Sequence, residues 1–150
     1  MIYFECKPDE ALAGSLGIPK REREHSHDKG RVCNKLKKSD NAIGMVDEDP
    51  GSAQPGYISN LEFVSEEHNI RVKRDNRNNL LIILCPHLEG WILKAADEAG
   101  VDVTGFGLPD DPKKLHGMIN SKLREFSSLI EELKDKSDSV KALQYLLSGD

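Results

Sequence analysis

Long apolar runs are missing from this chain. The longest, Leu80 to Cys85, has six residues, far short of the roughly 20 that a membrane-spanning helix needs, so no membrane association is expected. The first ten residues carry Glu5, Lys7, Asp9 and Glu10 where a secretory leader would be apolar, and no leader is expected either. Cysteine is sparse. Cys6, Cys33 and Cys85 are an odd number without a CxxC spacing, which argues against a disulfide framework and against a zinc site. A reducing, cytoplasmic setting is the expectation. Cationic excess is missing too: 21 Lys and Arg stand against 26 Asp and Glu, for a net charge of −5. That balance excludes a uniformly basic nucleic-acid binder and leaves room for a local basic face.

What remains is an ordinary soluble composition, 37% hydrophobic and 31% charged over 150 residues. A chain of this length suits one domain and buries roughly 70% of its extended surface without covalent staples. No internal repeat or low-complexity tract interrupts it.

Patterning predicts an α/β protein. Met1 to Phe4 reads as a buried strand. Pro8 suits the first turn of a helix, Asp9 and Glu10 favour its positive end, and Gly17 suits its stop. Between Lys20 and Lys38 lie eight Lys and Arg against three Asp and Glu, with a short helix expected from Gly30 to Lys38. Ala42 to Val46 is an unbroken apolar run, the mark of a central parallel strand covered on both faces. Pro50, Gly51, Pro55 and Gly56 make the next stretch a loop. Ile70 to Lys73 alternates with period two, and Leu80 to Leu84 is another buried strand. A helix is expected from Glu89 to Ala99, then a short edge strand over Val101 to Val103. From Asp111-Pro112 the chain turns helical, with one apolar face from Leu115 to Leu133 about five turns long. A last helix is capped by Ser137 or Ser139. This divides the single domain into an α/β core over 1–106 and C-terminal helices over 107–150. Any part of the apolar face left exposed would serve as a homodimer surface.

The residues with chemical interest sit where strands end. Glu5 follows the first strand, and Asp47 and Asp49 follow the strand ending at Val46. In an open parallel sheet, ligands bind outside the carboxyl ends of adjacent strands. If these two strands are neighbours, three carboxylates converge. Positions i and i+2 of an extended segment project to one side, so Asp47 and Asp49 would share a cation. An all-oxygen cluster of this kind suits Mg²⁺ or Mn²⁺, which also binds phosphate oxygens. Read without any ligand, the same residues cap helices and shape turns, and Asp49-Pro50-Gly51 is a good turn by itself.

Glu5-Cys6-Lys7-Pro8-Asp9 on a strand-to-helix turn, followed by Asp47-Glu48-Asp49-Pro50-Gly51 after a buried strand, resembles the Toprim domain family. That family includes topoisomerases, primases, maturases and nucleases associated with phage defence. Cys6 stands where the family usually carries Gly. The resemblance implies a Toprim/Rossmann-like mostly parallel sheet and a Mg²⁺-dependent (or Mn²⁺-dependent) cut or transfer of a phosphodiester in nucleic acid. It implies Glu5 as general acid or base, Asp47 and Asp49 as the magnesium-holding pair, and Asp9 as the aspartate that opens the first helix. On this reading Lys7, His25, His27, Lys29 and Arg31 lie near the carboxylates and grip phosphate oxygens. Glu89, in a Pro-x-x-Glu-x-Trp element after a buried strand, is a secondary carboxylate. Its other reading is a helix-entrance residue meeting the helix dipole while Trp91 packs inward. His25 and His27 lack further ligands at metal spacing, and the basic run as a whole also reads as a solvated face. A rival function is a non-catalytic module that binds a nucleotide or nucleic acid at the same strand ends, or a protein that works only as a partner subunit, in a setting such as phage defence.

Overall fold

Unbroken apolar strands need cover on both faces, and the chain provides it with helices on either side of one sheet. The structure is a computed structural model and describes residues 1–149. Strand β1 (Ile2–Phe4) leads through α1 (Lys7–Ser15) to β2 (Arg23–His25), then α2 (Lys29–Lys37) and β3 (Ile43–Asp47). A loop and the short helix α3 (Gly56–Ser59) precede β4 (Glu62–Glu67), β5 (Ile70–Arg74) and β6 (Leu80–Leu84). Helices α4 (Leu88–Glu98), α5 (Pro112–Met118), α6 (Leu123–Lys136) and α7 (Asp138–Ser148) complete the chain. The six strands run in the order β2-β1-β3-β6-β5-β4. The first four in that order are parallel, and β5 and β4 are antiparallel additions at one side. This is an α/β fold with seven helices and a mostly parallel sheet, an arrangement consistent with a Rossmann-like fold.

Side chains alternate across the sheet as the pleat requires. Phe4, Met45, Ile82 and Leu84 enter a large core with α1, α4, α6 and α7. Val46, Leu81 and Ile83 face the other way, onto Val32, Cys33 and Leu36 of α2 and Ile58 of α3. Helix α2 lies so close to β3 that a Cβ on Gly44 would stand 2.7 Å from Val32 Cγ1 and 2.9 Å from Leu36 Cδ1. Glycine at 44 therefore sets the approach of helix to strand.

Asn79, only 1% exposed, ties the beginnings of β3 and β6 to the end of α2. Its Oδ1 accepts from the Ala42 N–H at 2.8 Å, and its Nδ2 donates to the Leu36 and Ser39 carbonyls at 2.8 Å each. Asp75 closes the knot by accepting from the Asn79 N–H, the Arg77 N–H and the Tyr57 hydroxyl.

Three expectations differ from what the fold contains. The basic segment contains a strand that its pattern does not signal: Arg23–His25 pairs in parallel with β1 as an edge strand. Three residues with two charges carry no period-two apolar signal, so pairing alone makes this strand. Val101 to Val103 forms no strand; Val103–Phe106 is a 3-10 turn, closed by Gly107 at a left-handed φ of 79°. The apolar face from Leu115 to Leu133 is broken between α5 and α6 by a second 3-10 turn, Ile119–Ser121. Each half packs separately: α5 beside α4, α6 beside α1 and α7. Its residues Leu115, Ile119, Phe126, Leu129, Ile130 and Leu133 are buried in the chain's own core, while Met118 and Leu123 are half-buried.

Asn79→Ala strands the Ala42 N–H and two carbonyls and should lower the unfolding free energy by about 3 kcal/mol. Gly44→Val should cost about 2 kcal/mol by overpacking. Urea unfolding followed by far-UV circular dichroism measures both, and a loss below the fitting error would reject these assignments.

Candidate functional site

The chain steps from β1 to β2 on one side through α1, then returns through α2 to β3 on the other side of β1. Helices α1 and α2 cover opposite faces of the sheet. The crevice outside the carboxyl ends of β1 and β3 is therefore a topological switch point, the place where open α/β sheets bind ligands. Parallel pairing sets Phe4 opposite Met45, and just beyond that pair the Asp47 N–H donates to Glu5 Oε1 at 2.6 Å.

A third carboxylate joins them from α1. Cys6 is the N-cap residue, Pro8 fits the first turn, and Asp9 hangs inward from that turn. One ligand atom each from Glu5, Asp9 and Asp47 lies within 4.8 Å of the others. Asp9 is wholly buried at 0% exposure. Its Oδ2 accepts from the Cys6 thiol at 3.0 Å, and its Oδ1 is shielded from solvent with no hydrogen-bond partner. A buried carboxylate oxygen with nothing to bond is costly unless a proton or a cation sits against it.

Asp47 Oδ1 accepts from the Leu88 N–H, the first amide of α4, at 3.0 Å. The amino ends of α1 and α4 thus both aim at the cluster, and their partial positive charge offsets some of the repulsion. It does not offset all of it. Burial, then the neighbouring Asp9 and Glu5, push the Asp47 carboxyl well above the usual range. Burial, opposed by the Cys6 hydrogen bond and aided by Glu5 and Glu89, does the same to Asp9. Glu5 is raised by burial too, though the Asp47 N–H and the Lys29 ammonium draw it back. Burial and the adjacent Asp9 push the Cys6 thiol up, so it stays protonated as the hydrogen-bond donor.

The residues expected at the site divide. Asp49 stands outside the trio of Glu5, Asp9 and Asp47. Strand β3 ends at Asp47, and Asp49 has a left-handed φ of 46°, so the alternation that would align Asp47 with Asp49 has already stopped. The Asp49 carboxylate turns to Lys29, 3.9 Å away. Asp9, expected only as the opener of α1, takes the third place. Lys29 lashes down the loop after β3: its Nζ donates to the Glu48 carbonyl at 3.1 Å and to Gln54 Oε1 at 3.0 Å. Lys7 is exposed at the start of α1. The His25 and His27 rings are tilted by 45° with centroids 4.3 Å apart, at the end of β2 that the Ser26 N–H ties to the end of β1 through the Phe4 carbonyl. Arg31 is on α2, exposed, beside the N-cap Asp28.

Glu89 lies in the first turn of α4 at 5% exposure. His87 caps that helix by accepting from the Gly90 N–H at Nδ1, and His116 Nδ1 of α5 is 3.4 Å from Glu89 Oε1. Reading the chain in order gives no hint of His116, since only the packing of α5 on α4 delivers it. A groove of about 370 Å³ opens beside Asp47, with Val46, Ile58 and Ile83 as an apolar floor and Lys29, Arg71 and Lys73 on its walls. No family model matches the chain, and no curated protein or solved structure is significantly similar to it.

The raised carboxyls set a pH dependence. In the unfolded chain they titrate near 4, whereas the folded state holds their protons to higher pH and so binds more of them. Unfolding free energy of the cation-free protein should therefore fall as pH rises above about 4 and go on falling through the raised values. Added Mn²⁺ should restore it at pH 8. Asp47→Asn, which keeps an acceptor for Leu88, should raise the melting temperature in EDTA at pH 8 and abolish the Mn²⁺ response. A flat thermal profile from pH 5 to 9 would contradict this.

Proposed function

We propose that the chain is a divalent-cation-dependent phosphodiesterase of Toprim-like type, acting on nucleic acid by hydrolysis. The observation that carries this reading is the trio at the β1–β3 switch point: three carboxylates within 4.8 Å, one of them buried with an unpartnered oxygen. Its donors are all oxygen, which suits Mg²⁺ or Mn²⁺ over softer ions. Glu5, Asp9 and Asp47 would hold the ion, so the aspartate on α1 replaces Asp49 in the pair first expected. Such an ion supplies Lewis acidity at phosphorus and lowers the pKa of water.

The chain's own groups divide the remaining work. Glu5, whose proton affinity burial raises, is suited to move a proton at the attacking or leaving oxygen. Lys29, bonded to the Glu48 carbonyl and Gln54, adds positive potential beside the cluster without being free to bind phosphate, and Lys7, His25, His27 and Arg31 flank the same sheet edge. Asp49 and Glu89 add negative potential around the ion without joining the trio. Hydrolysis is favoured over a covalent tyrosyl step. Tyr3 and Tyr57 are bonded to Ser39 and Asp75 towards the amino edge of the parallel strands, and Tyr145 is exposed on α7.

The test is cleavage of labelled single- and double-stranded DNA and RNA with Mg²⁺ or Mn²⁺. Asp47→Asn and Asp9→Asn should each lower the rate at least about a hundred-fold, and Asp49→Asn should lower it far less. Cleavage indifferent to Asp47 and Asp9 would reject the site. Metal-independent binding without any cleavage would favour a binding module instead.

A further inference from the structure

The basic segment folds into a groove of its own. Edge strand β2 and helix α2 enclose about 330 Å³, distinct from the groove beside Asp47. Arg31 and Lys35 of α2 and its C-cap residue Lys38 recur at four- and three-residue steps, so they form one stripe, and all three line this groove with His25, Ser26 and His27. Over those seven residues the helix advances about 10 Å. The imidazoles lie at the end of the stripe nearest Glu5, because Ser26 follows β2 as Glu5 follows β1.

Three features separate this groove from a plain solvated face. Ser26 is 4% exposed, and its hydroxyl is buried without a hydrogen-bond partner, an unspent donor in the groove lining. His27 is held at a φ of 78°, a left-handed conformation uncommon for a residue with a side chain. The cations are also available. Lys35 pairs with Glu24 and Arg31 with Asp28, but both pairs are solvent-exposed and exchange at little cost. Lys38 has no carboxylate within 4 Å among the described residues. By contrast, Lys29 and Arg71 beside Asp47 are committed to the Glu48 carbonyl and to the Glu48 and Glu66 carboxylates.

We infer that the β2–α2 groove binds the sugar-phosphate backbone of a nucleic-acid strand, independently of sequence, and leads it to the carboxylate trio. The assignment of the strand's destination rests on the phosphodiesterase reading; the binding itself does not. Phosphate oxygens meet Arg31, Lys35 and Lys38 in succession, and the Ser26 hydroxyl and the imidazole N–H groups of His25 and His27 supply donors at the end nearest the ion site. A groove built this way reads charge and spacing, not base edges.

The experiment is fluorescence anisotropy of a labelled 12-nucleotide single-stranded DNA with the full chain in EDTA, titrated across salt concentrations. Arg31→Ala and Lys38→Ala should each weaken binding several-fold and lower the slope of log affinity against log salt by about 0.7, equally for two unrelated sequences. Ser26→Ala should weaken binding with the slope unchanged. Lys73→Ala, in the other groove, should leave binding intact, and because binding is read in EDTA a failed cleavage assay would not obscure the result. Lys38 is exposed, and Lys38→Glu gives a stronger version of the test without touching the core. Unchanged affinity and slope in the α2 variants, or loss concentrated in Lys73→Ala, would overturn the proposal, as would failure of the oligonucleotide to bind. If inorganic phosphate bound in the groove while the oligonucleotide did not, the site would belong to the free anion and the strand assignment would fall.

Discussion

Parallel pairing of β1 with β3 forces acidic groups together that would separate in water. The register that places Phe4 against Met45 delivers the Asp47 N–H to Glu5 at 2.6 Å, and the turn into α1 folds Asp9 beneath both. Hydrophobic burial along the strands holds this arrangement against charge repulsion. Much of the rest is compensation. The amino ends of α1 and α4 point at the cluster, the Cys6 thiol donates to Asp9, and Lys29 neutralises from the flank. The compensation is incomplete, as the raised proton affinities of Glu5, Asp9 and Asp47 record. Incomplete compensation and the unpartnered oxygen of Asp9 are what a site poised for a cation has in common with one that simply stays protonated.

Around this crevice the two faces of the sheet do different things. The face covered by α1 and α4–α7 contains most of the core and contributes stability. The face covered by α2 and α3 is thinner, and both grooves open on its side or its edge. Helix α2 is central to this division. Its inner side seats on β3 at Gly44, its first residue straps the loop after β3, and its outer stripe faces β2. A change in the seating of α2 would thus reach the carboxylates through Lys29 as well as through the strand.

The fold class and most elements were legible from local pattern. Met1 to Phe4, Ala42 to Val46 and Leu80 to Leu84 read as buried strands because parallel strands covered on both faces are apolar throughout. Helix starts at Pro8 and at Asp111-Pro112 were legible from local chemistry, whereas the Asp28 cap of α2 emerged only from the structure. What failed was of another kind. Strand β2 has no apolar signature because it is a charged edge, and pairing is a property of its neighbour β1. The stripe from Leu115 to Leu133 keeps its apolar spacing across the 3-10 turn Ile119–Ser121, so the spacing alone does not mark the break. Asp49 looked equivalent to Asp47 because i and i+2 alignment holds only while the strand continues, and φ at Asp49 ends it.

By itself, then, the amino-acid sequence determined where acidic residues follow apolar strands, where helices begin, and that positive charge collects between Lys20 and Lys38. Those are consequences of short-range sterics and of burial periodicity, both of which are written in neighbouring residues. Only the tertiary structure decided that Asp9 and not Asp49 completes the trio, that His116 reaches Glu89, and that Lys29 parts company with Arg31 to serve a different groove. Each of those depends on the distance between elements far apart in the chain, which strand order and helix seating set and no local pattern encodes.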